Sequence, residues 1–342
     1  FKDYTPSVKL LLPEGMSYED FFGKKGIFGK IDSFNKKIKE LKEEEIEKSR
    51  EALAPGVVNK EKFVSYIYSE ADALALKFKR KWEILQSIII ALAGVLLGVF
   101  LVFTYVNAVY LLIAYFIAYV VLTYLFKIKN FSHIFHEAFV EYRTLAEGMR
   151  VVFFLRLAGL HEDTADHYLR KHRQYLRWIR EVMRSANIFD PQSASDFESI
   201  KKYWIEGQYQ YYSNASKINK RKLKRLNTFS SVLFFGGMAS ILLAVVLALL
   251  HKYNAIAYTL ILIATLPAFA GLVETYTSRS ALQETMEEYS RMKMIYESAL
   301  KLWKADDHNF NIQVIKELAK EALRENADWL LLHYKIPEKI PI

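Results

Sequence analysis

The sequence of 342 residues contains no cysteine. Disulfide bonds, cysteine nucleophiles and thiolate metal sites are therefore excluded. No segment alternates apolar and polar residues as a half-buried strand does, so we expect an all-α fold. The sequence also has no phosphate-binding loop, no dinucleotide fingerprint and no serine nucleophile elbow. These absences predict a protein that is not an enzyme and that needs no cofactor.

Aspartate, glutamate, lysine and arginine are missing from four long apolar runs, which cover 87–106, 108–126, 229–250 and 255–273. Each run is close to the ~20 residues with which a helix crosses a ~30 Å hydrocarbon core. A bilayer leaves backbone groups no water to bind, so each run should be helical. We predict an integral membrane protein with four transmembrane helices in two tight hairpins. Two buried helix pairs in a soluble core are the alternative, although soluble helices of this length usually keep a polar face.

The uncharged runs also bear on transport, because proton relays and ion-coupled carriers usually place an ionisable residue in mid-membrane. We therefore do not expect a pump. Small residues in these runs allow helices to approach closely, either within one subunit or between subunits. A proline in the fourth run should kink that helix. The candidates for helix packing or for lining a pore are Gly94, Gly98, Gly236, Gly237, Ser240 and Pro267.

The net charge of +9 is concentrated beside the apolar runs. Basic residues crowd 77–81 before the first hairpin and 217–225 before the second, whereas the links at 107 and 251–254 hold few. The positive-inside rule then places both termini and the central segment in the cytoplasm. Anionic lipid headgroups are the expected partners of these clusters, in preference to nucleic acid. Four spans are too few to enclose a wide pore, so a pore would require a homo-oligomer.

The order of the helical segments predicts a tandem duplication of two hairpin modules, 60–190 and 197–336. Each half contains a basic aromatic helix, an apolar hairpin, a long helix and an amphipathic helix with a tryptophan. Similar residues recur at offsets that grow slowly, as small insertions between two copies would produce. The matched residues are Tyr68 with Tyr212, Tyr142 with Tyr289, and Trp178 with Trp329.

Residues 1–59 are predicted to be a linker followed by a helix over 31–53, which ends at Pro55 and Gly56. The chain starts at Phe1 without a signal peptide, so we expect an N-terminal portion to precede it. Two histidine clusters, at 133–137 and 161–167, have spacings at which a metal site is conceivable, but neither matches a zinc-protease motif. An interfacial helix start and an acidic helix N-terminus explain them better, and we predict no metal site.

The strongest motif of the first half is EYRTLAEGMRV at 141–151. SEADALALKFKRK at 69–81 precedes the first hairpin, and FFLRLAG at 153–159 and ADHYLR at 165–170 follow it. Together these segments resemble the SLATT superfamily of two-span bacterial membrane domains. The second half, from Trp204 onward, resembles a degenerate second copy, with MKMI at 292–295 in place of LAEG.

The resemblance implies a membrane-permeabilising or pore-forming effector of bacterial anti-phage or conflict defence, located in the bacterial inner membrane. It further implies gating by an upstream nucleotide-sensing domain of the SLOG type, and hence a nucleotide second messenger as a partner. Charged residues three or four apart can also pair along one helix and couple such a sensor to the hairpin or join subunits. The coupling candidates are Glu141, Arg143, Glu147, Arg150, Arg156 and Asp166. A membrane-anchored oligomeric scaffold and an ion channel unrelated to defence are the alternatives.

Overall fold

The computed structural model describes residues 19, 23–24, 26–106, 109–127, 129–160, 176–189, 195–279 and 282–335. At 104–106, 125–127, 129–133, 187–189, 253, 279 and 331–335 it describes the backbone alone. The candidate Asp166, the cluster at 161–167 and the side chain of His133 lie outside this description.

The described residues form ten helices and no strand, which confirms the all-α prediction. They are α1 (Ile27–Ile38), α2 (Glu43–Leu53), α3 (Lys62–Val106), α4 (Val109–Lys127), α5 (Lys129–Leu157), α6 (Arg177–Phe189), α7 (Phe197–Leu249), α8 (Tyr253–Arg279), α9 (Leu282–Leu302) and α10 (His308–Lys335).

The helices group into two compact units. The first unit comprises Phe1–Lys79, Glu137–Gln208 and Ile295–Ile342, and the second comprises Arg80–His136 and Tyr209–Met294. Each unit draws on both halves of the chain, so the units do not coincide with the predicted modules. Both halves nevertheless present a long helix, a shorter apolar helix and two further helices in the same order. The duplication itself stays a prediction.

The single helix predicted over 31–53 is wrong, because two helices occupy this segment. Helix α1 ends at Ile38 and α2 begins at Glu43. Lys42 has extended backbone angles, φ −84° and ψ 144°, and its N–H donates to the Glu45 carboxylate at 3.0 Å. Three glutamates in the first turn of α2 also favour a new helix start through the helix dipole. The apolar stripe over 31–53 therefore could not predict the helix start at Glu43, because this start depends on the bond between Lys42 and Glu45.

The helix end predicted at Pro55 and Gly56 is confirmed, and a glycine also ends α5. Gly56 follows α2 with a φ of +77°, and α3 runs without interruption from Lys62 into the first apolar run. Gly159 follows α5 with the same positive φ. Its N–H donates to the Arg156 carbonyl at 2.8 Å, and the Leu160 N–H donates to the Leu155 carbonyl at 2.9 Å. These two bonds form a Schellman motif, which satisfies the last carbonyls of the helix.

The core of the first unit is aromatic. Trp204 is fully buried and stacks on Phe154, with ring centroids 5.2 Å apart and an interplanar angle of 1°. Trp204 belongs to a π-helical segment of α7, Ile200–Glu206. In that segment the Gly207 N–H donates to the carbonyl of Lys202, five residues earlier. No motif in the sequence predicted this π-helical segment. Such local widenings of an α-helix often occur at functional sites.

The apolar helices belong mainly to the second unit. Three helical stretches are long and apolar enough to cross a membrane. They are Lys62–Phe103, Phe197–Leu249 and Asn254–Leu302, the last of which comprises α8 and α9 and includes residues 280–281, which lie outside the description. The apolar part of α4, Val109–Tyr124, is shorter. Apolar side chains along these helices are largely exposed, up to 74% for Leu249. Exposed apolar surface of this extent indicates membrane association.

Candidate functional site

Five side chains on α3 and α5 form a network that we call the ionic cluster. It consists of Tyr68, Asp72, Arg143, Glu147 and Arg150. The Arg143 guanidinium donates to the Asp72 carboxylate at 2.9 Å and also pairs with Glu147. Arg150 donates to Glu147 at 2.5 Å and to the Tyr68 hydroxyl at 2.7 Å. The cluster therefore joins α3 to α5 with two carboxylates and two guanidinium groups.

The two α3 members of the ionic cluster are buried, whereas the three side chains on α5 are 12–24% exposed. Asp72 is 6% exposed and Tyr68 is 1% exposed. Burial raises the pKa of the Tyr68 hydroxyl to about 12, so this group is neutral at physiological pH and accepts a hydrogen bond from Arg150 without adding charge. Removing one partner of a fully buried ion pair costs about 3–5 kcal/mol, and the cost is smaller here because water reaches the α5 side of the cluster. The cluster therefore favours one specific pairing of α3 with α5.

The predicted ion pairs along α5 are present for three of the candidates. Arg143 and Glu147 are four residues apart, and Glu147 and Arg150 are three apart. The acidic partner on α3, Asp72, was not predicted, although it is the only acidic residue in the segment ADALAL at 71–76. A lone carboxylate on an otherwise apolar helical stretch is the signal that could have identified it.

Glu141 makes its contact with α1 instead. Its carboxylate accepts a hydrogen bond from the Lys30 ammonium at 2.7 Å. Burial raises the pKa of Glu141, and the positive charge of Lys30 partly opposes this rise. The next residue, Tyr142, contacts the Phe34 ring of α1 at a centroid distance of 5.6 Å and accepts a hydrogen bond from Lys37 at 3.0 Å. Helix α1 is thus attached to α5 by one ion pair and by aromatic packing.

Arg156 forms a second buried ion pair, at the end of α5. Its Nε donates to the Glu61 carboxylate at 2.7 Å, and both side chains are 1% exposed. Its Nη1 also donates to the Ala186 carbonyl of α6 at 3.3 Å. The Thr144 carbonyl of α5 in turn accepts a hydrogen bond from Asn326 of α10 at 3.1 Å. Helix α5 is therefore the element to which α1, α3, α6 and α10 are bonded.

The second half has an uncharged contact at the positions that the predicted duplication matches to Asp72 and Arg143. Ser216 follows Asp72 by 144 residues, and Ser290 follows Arg143 by 147 residues, the two offsets expected for a duplication. The hydroxyl groups of Ser216 and Ser290 are hydrogen-bonded at 2.9 Å. Under the predicted duplication, α7 and α9 thus meet at the positions that match the contact of α3 with α5, with an ion pair in the first half and two hydroxyls in the second.

The small residues of the second unit lie where helices approach each other. A β-carbon at Gly237 would lie 2.6 Å from Cγ of Pro267, and one at Gly236 would lie 3.3 Å from Leu266 Cδ1. A β-carbon at Gly94 would lie 3.5 Å from the Phe269 ring, whereas one at Gly98 would meet no described atom within 4 Å.

Two other candidates lie on the same pair of helices. The hydroxyl of Ser240 donates to the Gly236 carbonyl of its own helix at 2.8 Å. Pro267 lies inside α8, which continues through it. The Ser230 hydroxyl of α7 also donates to the Ala270 carbonyl of α8 at 3.3 Å. Helices α7 and α8 are therefore packed together.

Within the described side chains, no group of three histidine, aspartate or glutamate residues is arranged to hold a metal ion. The chain matches no protein-family model, no curated protein and no solved structure. The resemblance to the SLATT superfamily therefore stays a prediction, and the site is interpreted from its own geometry.

Proposed function

We propose that the chain is a membrane effector that permeabilises the lipid bilayer when a signal reaches its cytoplasmic helices. The observation that carries the proposal is the continuity of α3. This helix has 45 residues, Lys62–Val106, and bears Tyr68 and Asp72 of the ionic cluster as well as the apolar run 87–106. A change in the ionic cluster therefore acts on the helix that enters the bilayer, with no loop in between.

The proposed membrane part has four spans in two hairpins, α3 with α4 and α7 with α8. Helix α4 has 19 residues, about 28 Å at 1.5 Å per residue, which is close to the ~30 Å hydrocarbon core. Tyr110 and Tyr124, near its two ends, are 68% and 65% exposed, as expected of aromatic residues at the two interfaces. The contacts of Gly237 with Pro267 support the second hairpin.

The proposed orientation places both termini in the cytoplasm of a bacterium, with the spans in the inner membrane. The basic clusters before each hairpin support this orientation through the positive-inside rule. Anionic lipid is the preferred partner of those clusters, and nucleic acid is not.

A homo-oligomer is proposed as the permeabilising form, because four spans per chain enclose no wide pore. The space beside Gly98 supports this proposal, since a β-carbon added there would meet no described atom within 4 Å, which leaves room for a helix of another subunit. The trigger is proposed to be a nucleotide second messenger that binds a domain preceding the chain. The resemblance to SLATT domains supports this part of the proposal, together with the assignment to anti-phage defence.

Leakage from liposomes tests the proposal. The full-length protein is reconstituted, and release of a trapped dye and of potassium is measured with and without candidate cyclic and linear nucleotides. We expect release that depends on a nucleotide. Ion-selective flux without any nucleotide would instead indicate a constitutive channel. An inserted, oligomeric protein that releases neither dye nor potassium under any condition would contradict the proposal and favour a membrane-anchored scaffold.

A further inference from the structure

A groove of about 830 Å³ lies in the second unit, where the basic end of α7 meets its apolar run. Its wall on α7 begins at Lys220 and ends at Phe235, and Met286 of α9 lines the other side. All the lining residues belong to the second unit. The groove is therefore a property of α7 and α9 alone.

The chemistry of the groove changes along α7. Lys220, Lys224, Asn227, Ser231 and Phe235 are spaced three or four residues apart, so they share one face of the helix. Two ammonium groups come first, an amide and a hydroxyl follow, and an aromatic ring comes last. From Lys224 to Phe235 the helix rises about 16 Å at 1.5 Å per residue, which is about the hydrocarbon depth of one leaflet.

The two lysines of the groove differ from the neighbouring Lys222. The ammonium of Lys222 donates to the Tyr276 hydroxyl of α8 at 3.2 Å. Among the described residues, neither Lys220 nor Lys224 has a hydrogen-bonding or ion-pairing partner. Two cations beside an apolar wall are complementary to a ligand with an anionic head and a hydrocarbon tail.

We propose that this groove binds one anionic phospholipid. The ammonium groups of Lys220 and Lys224 contact the phosphate, and the side chains of Asn227 and Ser231 lie at the depth of the glycerol ester. An acyl chain lies along Val232 and Phe235, at the apolar end of the groove. The inference rests on the membrane insertion proposed above, but not on permeabilisation.

Native mass spectrometry of the detergent-solubilised full chain tests this proposal, with phosphatidylglycerol and phosphatidylcholine of identical acyl chains as probes. We expect phosphatidylglycerol to bind more tightly. The double variant Lys220→Gln, Lys224→Gln should weaken its binding by about 5- to 30-fold, the effect of one to two cations near an anionic lipid. The matched control is Arg221→Gln, Arg225→Gln, which removes the same charge at the same spacing from positions outside the groove. It should leave phosphatidylglycerol binding within about twofold of wild type.

Three results would overturn the proposal: equal loss of affinity in both double variants, equal binding of the two lipids, or displacement of phosphatidylglycerol by inorganic phosphate. The first would indicate diffuse surface charge, and the last a site for soluble phosphate. Co-flotation of the protein with phosphatidylcholine vesicles checks insertion separately. A protein that does not float would overturn the membrane proposal, and the lipid site with it.

Discussion

Gly237 and Pro267 are in direct contact between α7 and α8. A β-carbon at position 237 would lie 2.6 Å from Cγ and 2.8 Å from Cδ of the proline ring. Proline lacks a backbone N–H and has a rigid ring, so its ring cannot move aside as the end of a flexible side chain can. The glycine therefore sets how closely these two helices approach.

Gly237→Ala should destabilise the protein by about 1–3 kcal/mol, the usual cost of overpacking. Thermal unfolding in detergent, followed by circular dichroism, measures this loss. Gly271→Ala on α8 is the matched control, because a β-carbon there meets no described atom within 4 Å; it should be neutral or stabilising. Adding Pro267→Ala to Gly237→Ala should restore stability, and a failure to do so would show that the ring is not the obstacle.

Arg156→Met should cost about 3–5 kcal/mol, because it removes the guanidinium that faces the Glu61 carboxylate inside the first unit. The double variant Glu61→Leu, Arg156→Met should be more stable than the sum of the single changes predicts. A double-mutant cycle on the free energy of unfolding measures this coupling. Additive effects of the two substitutions would contradict the pairing.

Asp72→Asn should raise leakage from liposomes in the absence of a signal. The substitution removes the carboxylate that Arg143 contacts at 2.9 Å and weakens the attachment of α3 to α5. A loss of about 1–2 kcal/mol changes a two-state equilibrium about 5- to 30-fold, and basal leakage should rise by a similar factor. Ser216→Ala, at the matching position of the second half, removes one hydroxyl contact without changing charge and should have a smaller effect. Unchanged basal leakage from inserted Asp72→Asn protein would contradict a role of the cluster in gating.

Glu141 should make the stability of the protein depend on pH. Burial raises its pKa above the ordinary value of 4.5, so the folded state binds this proton more tightly than the unfolded state does. The free energy of unfolding should therefore fall as pH rises from about 4.5 through the folded-state pKa. Glu141→Gln cannot ionise and should lack this component.

The pH test compares unfolding temperatures of wild type and Glu141→Gln across this range. The wild type should lose stability relative to the variant as pH rises, until Glu141 is fully ionised. Glu317→Gln, on an exposed position of α10, controls for the loss of one carboxylate. Because it retains Glu141, its stability should fall with pH as that of the wild type does. A difference between wild type and Glu141→Gln that is constant with pH would show that burial does not shift this group.

Local sequence patterns predicted the helix end at Pro55 with Gly56, because it depends on residues close in sequence. They failed over 31–53, where the cap formed by Lys42 and Glu45 interrupts an apolar stripe. They also failed to predict the π-helical segment around Trp204, whose buried packing against Phe154 joins residues 50 positions apart. Contacts of that kind depend on which helices pack against each other, and no local sequence pattern predicts that packing.

The sequence by itself determined the all-α class and the apolar helices, because helix periodicity and the absence of charge over about 20 residues are local properties. It also identified Arg143, Glu147 and Arg150 as pairing residues of one helix. Only the tertiary structure decided that Asp72 and Tyr68 complete this cluster, that Glu141 pairs with Lys30, and that Arg156 pairs with Glu61. These partners lie 71 to 111 residues apart along the chain. A buried charged side chain pairs with the oppositely charged group that helix packing places next to it.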